Sequence, residues 1–343
     1  MTSRVYIVIL NWNGWKDTLT CLESVLRLDY PDYRIVLCDN ASGDDSVGNV
    51  RNWAAGLLQP DNSTTPLGCA LDRPIKKPLN IVEYDRVAAE AGGDRYLDQE
   101  ALVLIHTGEN LGFAGGNNVG IRFAMACGDA DYVWLLNNDT VVDADALSEL
   151  VNRAAKSDLI GIVGSTLCFF DAPDTVQSYG GGTFSANRAM TRHIGEGGKL
   201  HALSDAEVNR IEAQMAYVVG ASMLVSRRFI ECIGMMEEDY FLYFEEIDWA
   251  ERSRRGTVPF RLAFAPKSIV YHKVGASVGT QSRSLLSVRY LAINRLRFIK
   301  RFYPGKLAIA RFLVLWEGIK ALLKGRTSMA RVVMRVALSP VRL

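Results

Sequence analysis

Residues 5–14 read Val5-Tyr6-Ile7-Val8-Ile9-Leu10, then Asn11-Trp12-Asn13-Gly14. An unbroken β-branched and aliphatic run, without polar alternation, marks a strand buried on both faces of a parallel sheet. The abrupt change to Asn-Trp-Asn-Gly marks the loop at its carboxyl end. Working outward, Leu19, Leu22, Val25 and Leu26 are spaced for one helix face, and residues 34–38 (RIVLC) form a second buried strand that ends in Asp39-Asn40-Ala41-Ser42-Gly43. Residues 101–105 and 132–136 supply a third and a fourth strand. Between these two, residues 112–116 open a helix that passes through Val119, Ile121, Phe123 and Met125 and stops at Gly128. Strand alternating with helix predicts an α/β fold with a mostly parallel central sheet flanked by helices. Ligands of such sheets gather at the carboxyl ends of the strands, where these loops lie.

Composition agrees with a folded globular chain: 343 residues, 49% hydrophobic and 22% charged, with 10 Pro. The net charge of +1 hides an asymmetry. From Gln281 onward there are 14 Lys and Arg against one acid, Glu317, a balance of +13; residues 1–280 hold the other 25 against 37 acids, a balance of −12. The acidic body argues against a nucleic-acid partner, and the basic tail points to a charged surface. Six scattered cysteines without a C-x-x-C pair read as mostly buried thiols rather than zinc ligands or disulfides. Without a signal peptide or an apolar run of about 20 residues, the expected location is cytoplasmic. Residues 56–100, rich in Pro, Gly, Asp and Asn, read as an inserted surface loop or small lobe, and residues 171–205 as loops with short strands.

Four constellations carry chemistry. In the strand-end loops, Trp12 can stack on a nucleobase, Asp39 can accept from a base N–H, and the glycines of residues 110–118 (NLGFAGGNN) let backbone N–H groups approach phosphate; core packing and turn formation are the plainer roles. Residues 134–140 (WLLNNDT) put Asp139 at a strand tip, suited to a hard divalent cation that keeps phosphate oxygens among its ligands. An Asx turn is the alternative there, with Asp143 and Asp145 the better helix caps. Residues 237–249 interleave acids with aromatics, so some carboxylates lie against apolar walls that raise their pKa toward general-base values, unless they simply open a solvated helix running to Gly256. His272 follows a strand as a satisfied polar residue or as a neutral imidazole completing a metal's coordination.

Taken in order, these sets resemble the family 2 inverting glycosyltransferases of the GT-A fold, and especially the rhamnosyltransferase-like branch that builds bacterial surface polysaccharides. The motifs are V-x-I-V-I-L-N-W-N-G, D-N-A-S-G-D, N-L-G-F-A-G-G-N-N-x-G-I, L-L-N-N-D-T, F-x-Y-F-E-E-x-D-W and H-K-x-G-A-S, then N-R-L-R-F-I-K-R-F-Y-P, across roughly residues 3–305. The resemblance implies a nucleotide-sugar site made by Asn11, Trp12, Asn13, Asp39, Asn40, Gly112, Asn117, Asn137 and Asn138, and a divalent metal (Mg or Mn) held by Asp139 and His272. Asn137 stands where the family's D-x-D motif begins. Glu246 takes the position of the presumed base, as Glu rather than Asp, with Glu245 and Asp248 as rivals. The implied donor is of dTDP or UDP type, rhamnose being the first guess, and the implied acceptor is a glycan or a lipid-linked sugar. A sugar nucleotidyltransferase would instead carry a Gly-rich basic loop after the first strand, whereas NWNGW stands here. A non-catalytic glycan-binding relative would follow if the Asn137 and Glu246 departures mean lost chemistry.

These readings divide the chain into a catalytic domain, 1–280, and a basic amphipathic helical tail, 281–343. The first comprises a nucleotide-sugar half, 1–140, carrying the insertion 56–100, and an acceptor half, 141–280. In the tail, Lys306, Glu317, Lys320 and Lys324 share one helical face while Leu307, Phe312, Leu315, Trp316, Ile319 and Leu323 populate the rest. It reads either as helices packed on the catalytic domain or on a second subunit of a homodimer, or as an anchor on an anionic membrane surface, the inner face of the plasma membrane.

Overall fold

The computed structural model describes residues 2–61, 75–94, 102–273 and 284–341. Five parallel strands, β1 (Val5–Asn11), β2 (Tyr33–Asp39), β3 (Ile81–Asp85), β4 (Leu102–His106) and β5 (Tyr132–Asn137), lie in the order β3-β4-β2-β1-β5. Central β1 shows why its sequence does not alternate. Val5, Ile7 and Ile9 face one core together with Trp53 and Trp134, and Tyr6 and Val8 face the other with Phe123. Each of these five residues is completely buried, worth about 1.5–3 kcal/mol per large apolar side chain.

The helices α1 (Trp15–Val25), α2 (Ser46–Ala54), α3 (Arg86–Glu90) and α4 (Gly112–Cys127) connect these strands. Two glycines let α4 lie directly on β1: a Cβ at Gly116 would stand 2.4 Å from Leu10, and one at Gly120 2.4 Å from Val8. Part of the stretch expected to be a loop or lobe belongs to the sheet instead. Within residues 56–100, β3 is an edge strand parallel to β4, and its half-exposed IVEYD pattern lacks the apolar run that marks a central strand. Residues 62–74 and 95–101 of that excursion lie outside the described residues.

The second half continues the sheet. Its elements are β6 (Thr140–Val142), α5 (Ala146–Ala154), β7 (Ile160–Phe169), β8 (Ala172–Tyr179), β9 (Gly181–Ser185), β10 (Met190–His193), α6 (Asp205–Gln214), β11 (Tyr217–Val218), β12 (Ser222–Ser226), α7 (Arg227–Ile233), α8 (Glu245–Arg255) and β13 (Arg261–His272). Beyond β5 the order is β12-β7-β13-β6, with β8 paired to β7, and β6, β8 and β12 run antiparallel to their neighbours. Strands β9, β10 and β11 form a separate small antiparallel sheet. Residues 171–205 thus hold a full eight-residue strand, β8, beside the short ones expected.

Three helices close the chain: α9 (Leu285–Phe302), α10 (Leu307–Leu323) and α11 (Thr327–Leu338). The proposed boundary near 280 does not separate two bodies. Phe298 and Phe302 of α9 belong to the same hydrophobic core as β1, Tyr303 bonds to Glu251 at 3.0 Å, and Arg255 donates to the Phe302 carbonyl at 2.8 Å. Helix α9 packs against the residues before it through these contacts. Helices α10 and α11 pack on α9 through a second cluster centred on Leu296, Ile299, Val314 and Val333.

Candidate active site

The carboxyl ends of β1, β2 and β5 carry a dense polar frame. Asn11 donates to Asp39 Oδ1 (2.9 Å) and to Ser42 Oγ (3.0 Å), and its side-chain Oδ1 accepts from the Thr18 hydroxyl (2.9 Å). Asp39 also accepts from the Ser42 hydroxyl at 2.6 Å and from its N–H at 3.1 Å. Asn138 reaches back from beyond β5 to Thr18 at 2.9 Å. Asn13, with φ +53°, accepts from the N–H groups of Gly43 and Asp44. Above this frame Trp12 is 50% exposed, leaving its ring free to stack.

Asn40 is a strut. Its amide donates to Asn110 and to the Gly112 carbonyl, both at 3.1 Å, and its oxygen accepts from the Leu111 N–H at 3.0 Å. These bonds fix the loop that enters α4. Gly112 is required there on two counts, a φ of +71° and a Cβ position 2.3 Å from the Phe241 carbonyl. Asn118 is likewise engaged, by Met236 and Glu238, whereas Asn117 leaves its side-chain oxygen buried without a donor.

Asp139 and His272 come together although 133 positions separate them: strand β13 pairs with β6, bringing His272 opposite Thr140. Nε2 of His272 lies 3.2 Å from Asp139 Oδ1, yet that oxygen is buried without a hydrogen bond, so the two meet outside hydrogen-bond geometry. Gln177 on β8 explains the arrangement. Its amide oxygen, 3.0 Å from His272 Nδ1, can only accept, so as oriented here Nδ1 carries the proton. Nε2 is then left unprotonated beside Asp139, and Asn137 Nδ2 approaches it at 3.5 Å. A carboxylate oxygen and an unprotonated imidazole nitrogen beside each other form a natural pair of ligands for a divalent cation, with Gln177 orienting the ring as a carboxylate or amide does behind metal-bound histidines. Among the described residues no third His, Cys, Asp or Glu completes a cluster, so further ligands would be diphosphate oxygens and water. Val274 onward lies outside the described residues.

Residues 237–249 form a strained loop and then α8. Phe241, Tyr243 and Phe244 have φ of +59°, +70° and +79°, an unfavourable conformation for bulky side chains that persists only when its surroundings impose it. Asn294 of α9 imposes it here, donating to the carbonyls of Tyr240, Leu242 and Tyr243 at 2.6, 2.8 and 3.1 Å. Phe241 stacks on Tyr290 with ring centroids 4.8 Å apart, and its carbonyl accepts from Phe113 N–H.

This loop delivers three carboxylates to the first turn of α8, and they differ. Asp248 is fully buried but accepts from Tyr240 (3.0 Å), Arg252 (2.7 Å) and Arg301 (3.0 Å). Burial pushes its pKa up and the two guanidinium groups pull it back; enclosed on every side, it is a structural tie rather than the rival base that the sequence allowed. Glu245, 2% exposed, has one oxygen without a partner. Its pKa is raised well above the carboxylate range by burial and then by the neighbouring Glu246 charge. Glu246 is also raised, by burial, against backbone N–H groups that include Gly220. Its Oε2 has no partner. A Cβ on Gly220 would lie 3.3 Å from Glu246 Oε1 and 3.1 Å from Phe113, and the adjacent Ala221 carbonyl accepts from Asn137 N–H at 3.0 Å. Glu246 is thereby linked through two residues to the tip of β5.

The site thus unites the strand-end loops, the Asp139–His272 pair and Glu246. Thr18, Gln177 and Gly220 join it without having been marked in the sequence, and Ser42 and Asn294, which lie in the quoted motifs D-N-A-S-G-D and N-R-L-R-F, join it without having been named as site residues. The sequence profile described as glycosyl transferase family 2 matches residues 6–64 and 94–234. Among curated proteins, the chain is 30% identical over 164 residues to the low-salt glycan biosynthesis hexosyltransferase Agl10 of Haloferax volcanii, covering 48% of this chain and 50% of that protein. It is 23% identical over 245 residues to the N-acetylglucosaminyl-diphospho-decaprenol L-rhamnosyltransferase of Mycobacterium tuberculosis, covering 65% and 75%. Among solved structures, the fold matches the mannosyltransferase PcManGT of Pyrobaculum calidifontis in complex with GDP-Man and Mn2+, with a TM-score of 0.53, 16% identity and coverage of 98% and 87%. It also matches GalNAc-T7 with UDP, GalNAc and Mn2+, with a TM-score of 0.52, 14% identity and coverage of 90% and 51%. The sheet order and these neighbours establish the GT-A architecture.

Proposed function

The chain belongs to glycosyl transferase family 2, and from that premise we propose that it moves a hexosyl or deoxyhexosyl group, with inversion, from a nucleoside-diphosphate sugar to a hydroxyl of a glycan or lipid-linked acceptor. The observation that carries this reading is Glu246: a carboxylate with raised proton affinity and an unpartnered oxygen, linked through Gly220 and Ala221 to the strand tip beside Asp139. Trp12 stacks on the base, and Asp39, held ready by Asn11 and Ser42, accepts from a base N–H. Asn117 offers its buried free oxygen to a donor hydroxyl. Asp139 and His272 would hold a divalent cation, Mg2+ or Mn2+, which would supply neutralisation of the charge growing on the departing diphosphate. Glu246 Oε2 takes the proton from the acceptor hydroxyl as that oxygen attacks C1 from the face opposite the diphosphate, so the configuration inverts. The hexosyltransferase and rhamnosyltransferase relatives support a hexose or rhamnose as the sugar, and the diphospho-decaprenol named for the latter supports a lipid-linked acceptor. A role in cell-surface polysaccharide synthesis, with dTDP-rhamnose the first candidate donor and UDP-sugars next, extends the same reading.

A thermal-shift panel of dTDP, UDP and GDP with and without Mn2+ tests the donor half. One diphosphate should raise the unfolding midpoint in a metal-dependent way, by the equivalent of about 2.7 kcal/mol at a hundred times its Kd. Asp139→Ala should abolish the metal-dependent part. No shift with any diphosphate, or a full shift in Asp139→Ala, contradicts the assignment.

A further inference from the structure

Helices α10 and α11 pack with their side chains sorted the wrong way round for a hairpin in water. The buried stripe of α10 is Ala310, Val314, Gly318 and Ala321, and that of α11 is Ala330, Val333 and Ala337. Small residues let the two backbones come close: a Cβ on Gly318 would stand 2.6 Å from Met334. The large apolar side chains of α10 point the other way. Ile309, Phe312, Trp316 and Leu323 are 47%, 64%, 43% and 79% exposed, and at 3.6 residues per turn they share one stripe, opposite the buried one. Leu322 beside them and Leu338 at the end of α11 are exposed as well.

Isolated exposed leucines are ordinary, but a continuous apolar stripe has a partner. The charges around it identify that partner's chemistry. At 3.6 residues per turn Lys306, Lys320 and Lys324, all exposed, run along one edge of the stripe, and Lys320 sits 5.6 Å over the Trp316 ring; Arg326, Arg331 and Arg335 add exposed cations on the turn after α10 and on α11. The single acid, Glu317, is taken by Arg295 at 2.8 Å. No helix among the described residues is long and apolar enough to cross a membrane.

We propose that the exposed apolar stripe of α10 lies in the interface of an anionic bilayer, with Ile309, Phe312, Trp316 and Leu323 inserted among the acyl chains and Lys306, Lys320 and Lys324, along one edge of that stripe, on the headgroups. An apolar stripe bearing Trp and Phe and flanked by cations has the composition of helices that lie on membranes rather than span them. Helix α9 makes this docking consequential. It packs against the hairpin on one side and, through Asn294 and Tyr290, holds the loop leading to Glu245 and Glu246 on the other. A bilayer under the hairpin is thus one helix away from the acceptor side of the site. The surface argument stands apart from the proposed activity, because binding is read without any sugar donor.

Flotation of the full chain with vesicles is the test. Vesicles of phosphatidylglycerol and phosphatidylethanolamine should carry the protein upward at low salt, phosphatidylcholine vesicles should not, and raised salt should release it. The double substitution Phe312→Ser with Trp316→Ser should weaken partitioning by at least tenfold, since each large apolar side chain contributes on that scale. Lys320→Gln and Lys324→Gln should each cost about fivefold. All four positions are exposed, so an unchanged unfolding midpoint shows that the variants keep their fold. Protein that stays at the bottom with anionic vesicles at low salt overturns the proposal. So does sedimentation of a dimer that the Phe312→Ser, Trp316→Ser pair dissolves, which would make a second copy the occupant of this face.

Discussion

The two sides of the site treat their polar groups in opposite ways. On the side proposed to bind the donor, at the ends of β1, β2 and β5, Asn11, Asp39, Asn40 and Asn138 are bound to one another and to Thr18, Ser42 and Asn110, with most bonds between 2.6 and 3.1 Å. On the side proposed to receive the acceptor, Glu245 and Glu246 keep buried oxygens with no partner, behind a loop with three bulky residues at positive φ. Satisfied networks are rigid and position a ligand; unpaired buried charge is costly and persists where it does chemistry. On the proposed reading, this contrast separates holding from reacting. Asp139 and His272 lie where the two meet, an unpaired carboxylate oxygen set against a histidine whose other nitrogen is firmly held.

If that division is right, loosening each side should produce different kinetic signatures. Among substitutions that loosen the frame without removing a reacting group, the largest effect is expected from Asn294→Ala. Losing three hydrogen bonds to strained carbonyls lets the loop before α8 relax, and a displacement of about 1 Å can cost around a hundredfold in rate. The loss should appear in kcat, with the KM for donor nearly unchanged, in steady-state assays. Next is Gln177→Ala on the metal side. Without its acceptor for Nδ1–H, His272 loses its fixed tautomer, and metal affinity should fall about 10–100-fold, measured calorimetrically with Mn2+ and the preferred nucleoside diphosphate. Acceptor-side kcat at saturating metal should change little.

Glu245→Gln should give the smallest effect, on stability. Burial raises this pKa in the folded state, so the folded protein holds the proton more tightly than the unfolded chain. Stability from this group is therefore complete below about pH 4.3 and falls as pH rises through the folded value. Replacing the carboxyl by an amide should raise the unfolding midpoint at pH 8, by roughly 2 °C for each kcal/mol relieved, and leave it nearly unchanged near pH 4. A destabilised variant at pH 8 would mean that the Glu245 charge has a partner in solution.

Legibility in the sequence followed the same division. Strands β1, β2, β4 and β5 were readable because burial on both faces forces continuous apolar runs, and their loops were readable because Asn, Asp and Gly cluster where such runs stop. Edge strand β3 and the polar β8 carry no such run. That is why the excursion 56–100 seemed to lie wholly outside the sheet. The E-E-x-D sequence presents three acids alike, and only the folded partners Tyr240, Arg252 and Arg301 remove Asp248. Gln177 and Asn294 act through contacts 95 and about 50 positions away, which no local periodicity records. The tail's charge was plain from composition. Its division into a helix that belongs to the core and a hairpin with large apolar residues turned outward was not, since amphipathic spacing does not say which face is covered.

The most direct test of the account is Glu246→Gln, assayed for both donor binding and sugar transfer in the same preparation. The account predicts unchanged affinity for the nucleoside-diphosphate sugar with Mn2+ and a loss of transfer of about 10²–10⁴-fold, the usual contribution of a positioned base. Undiminished transfer would contradict it and return the search for the base to Glu245.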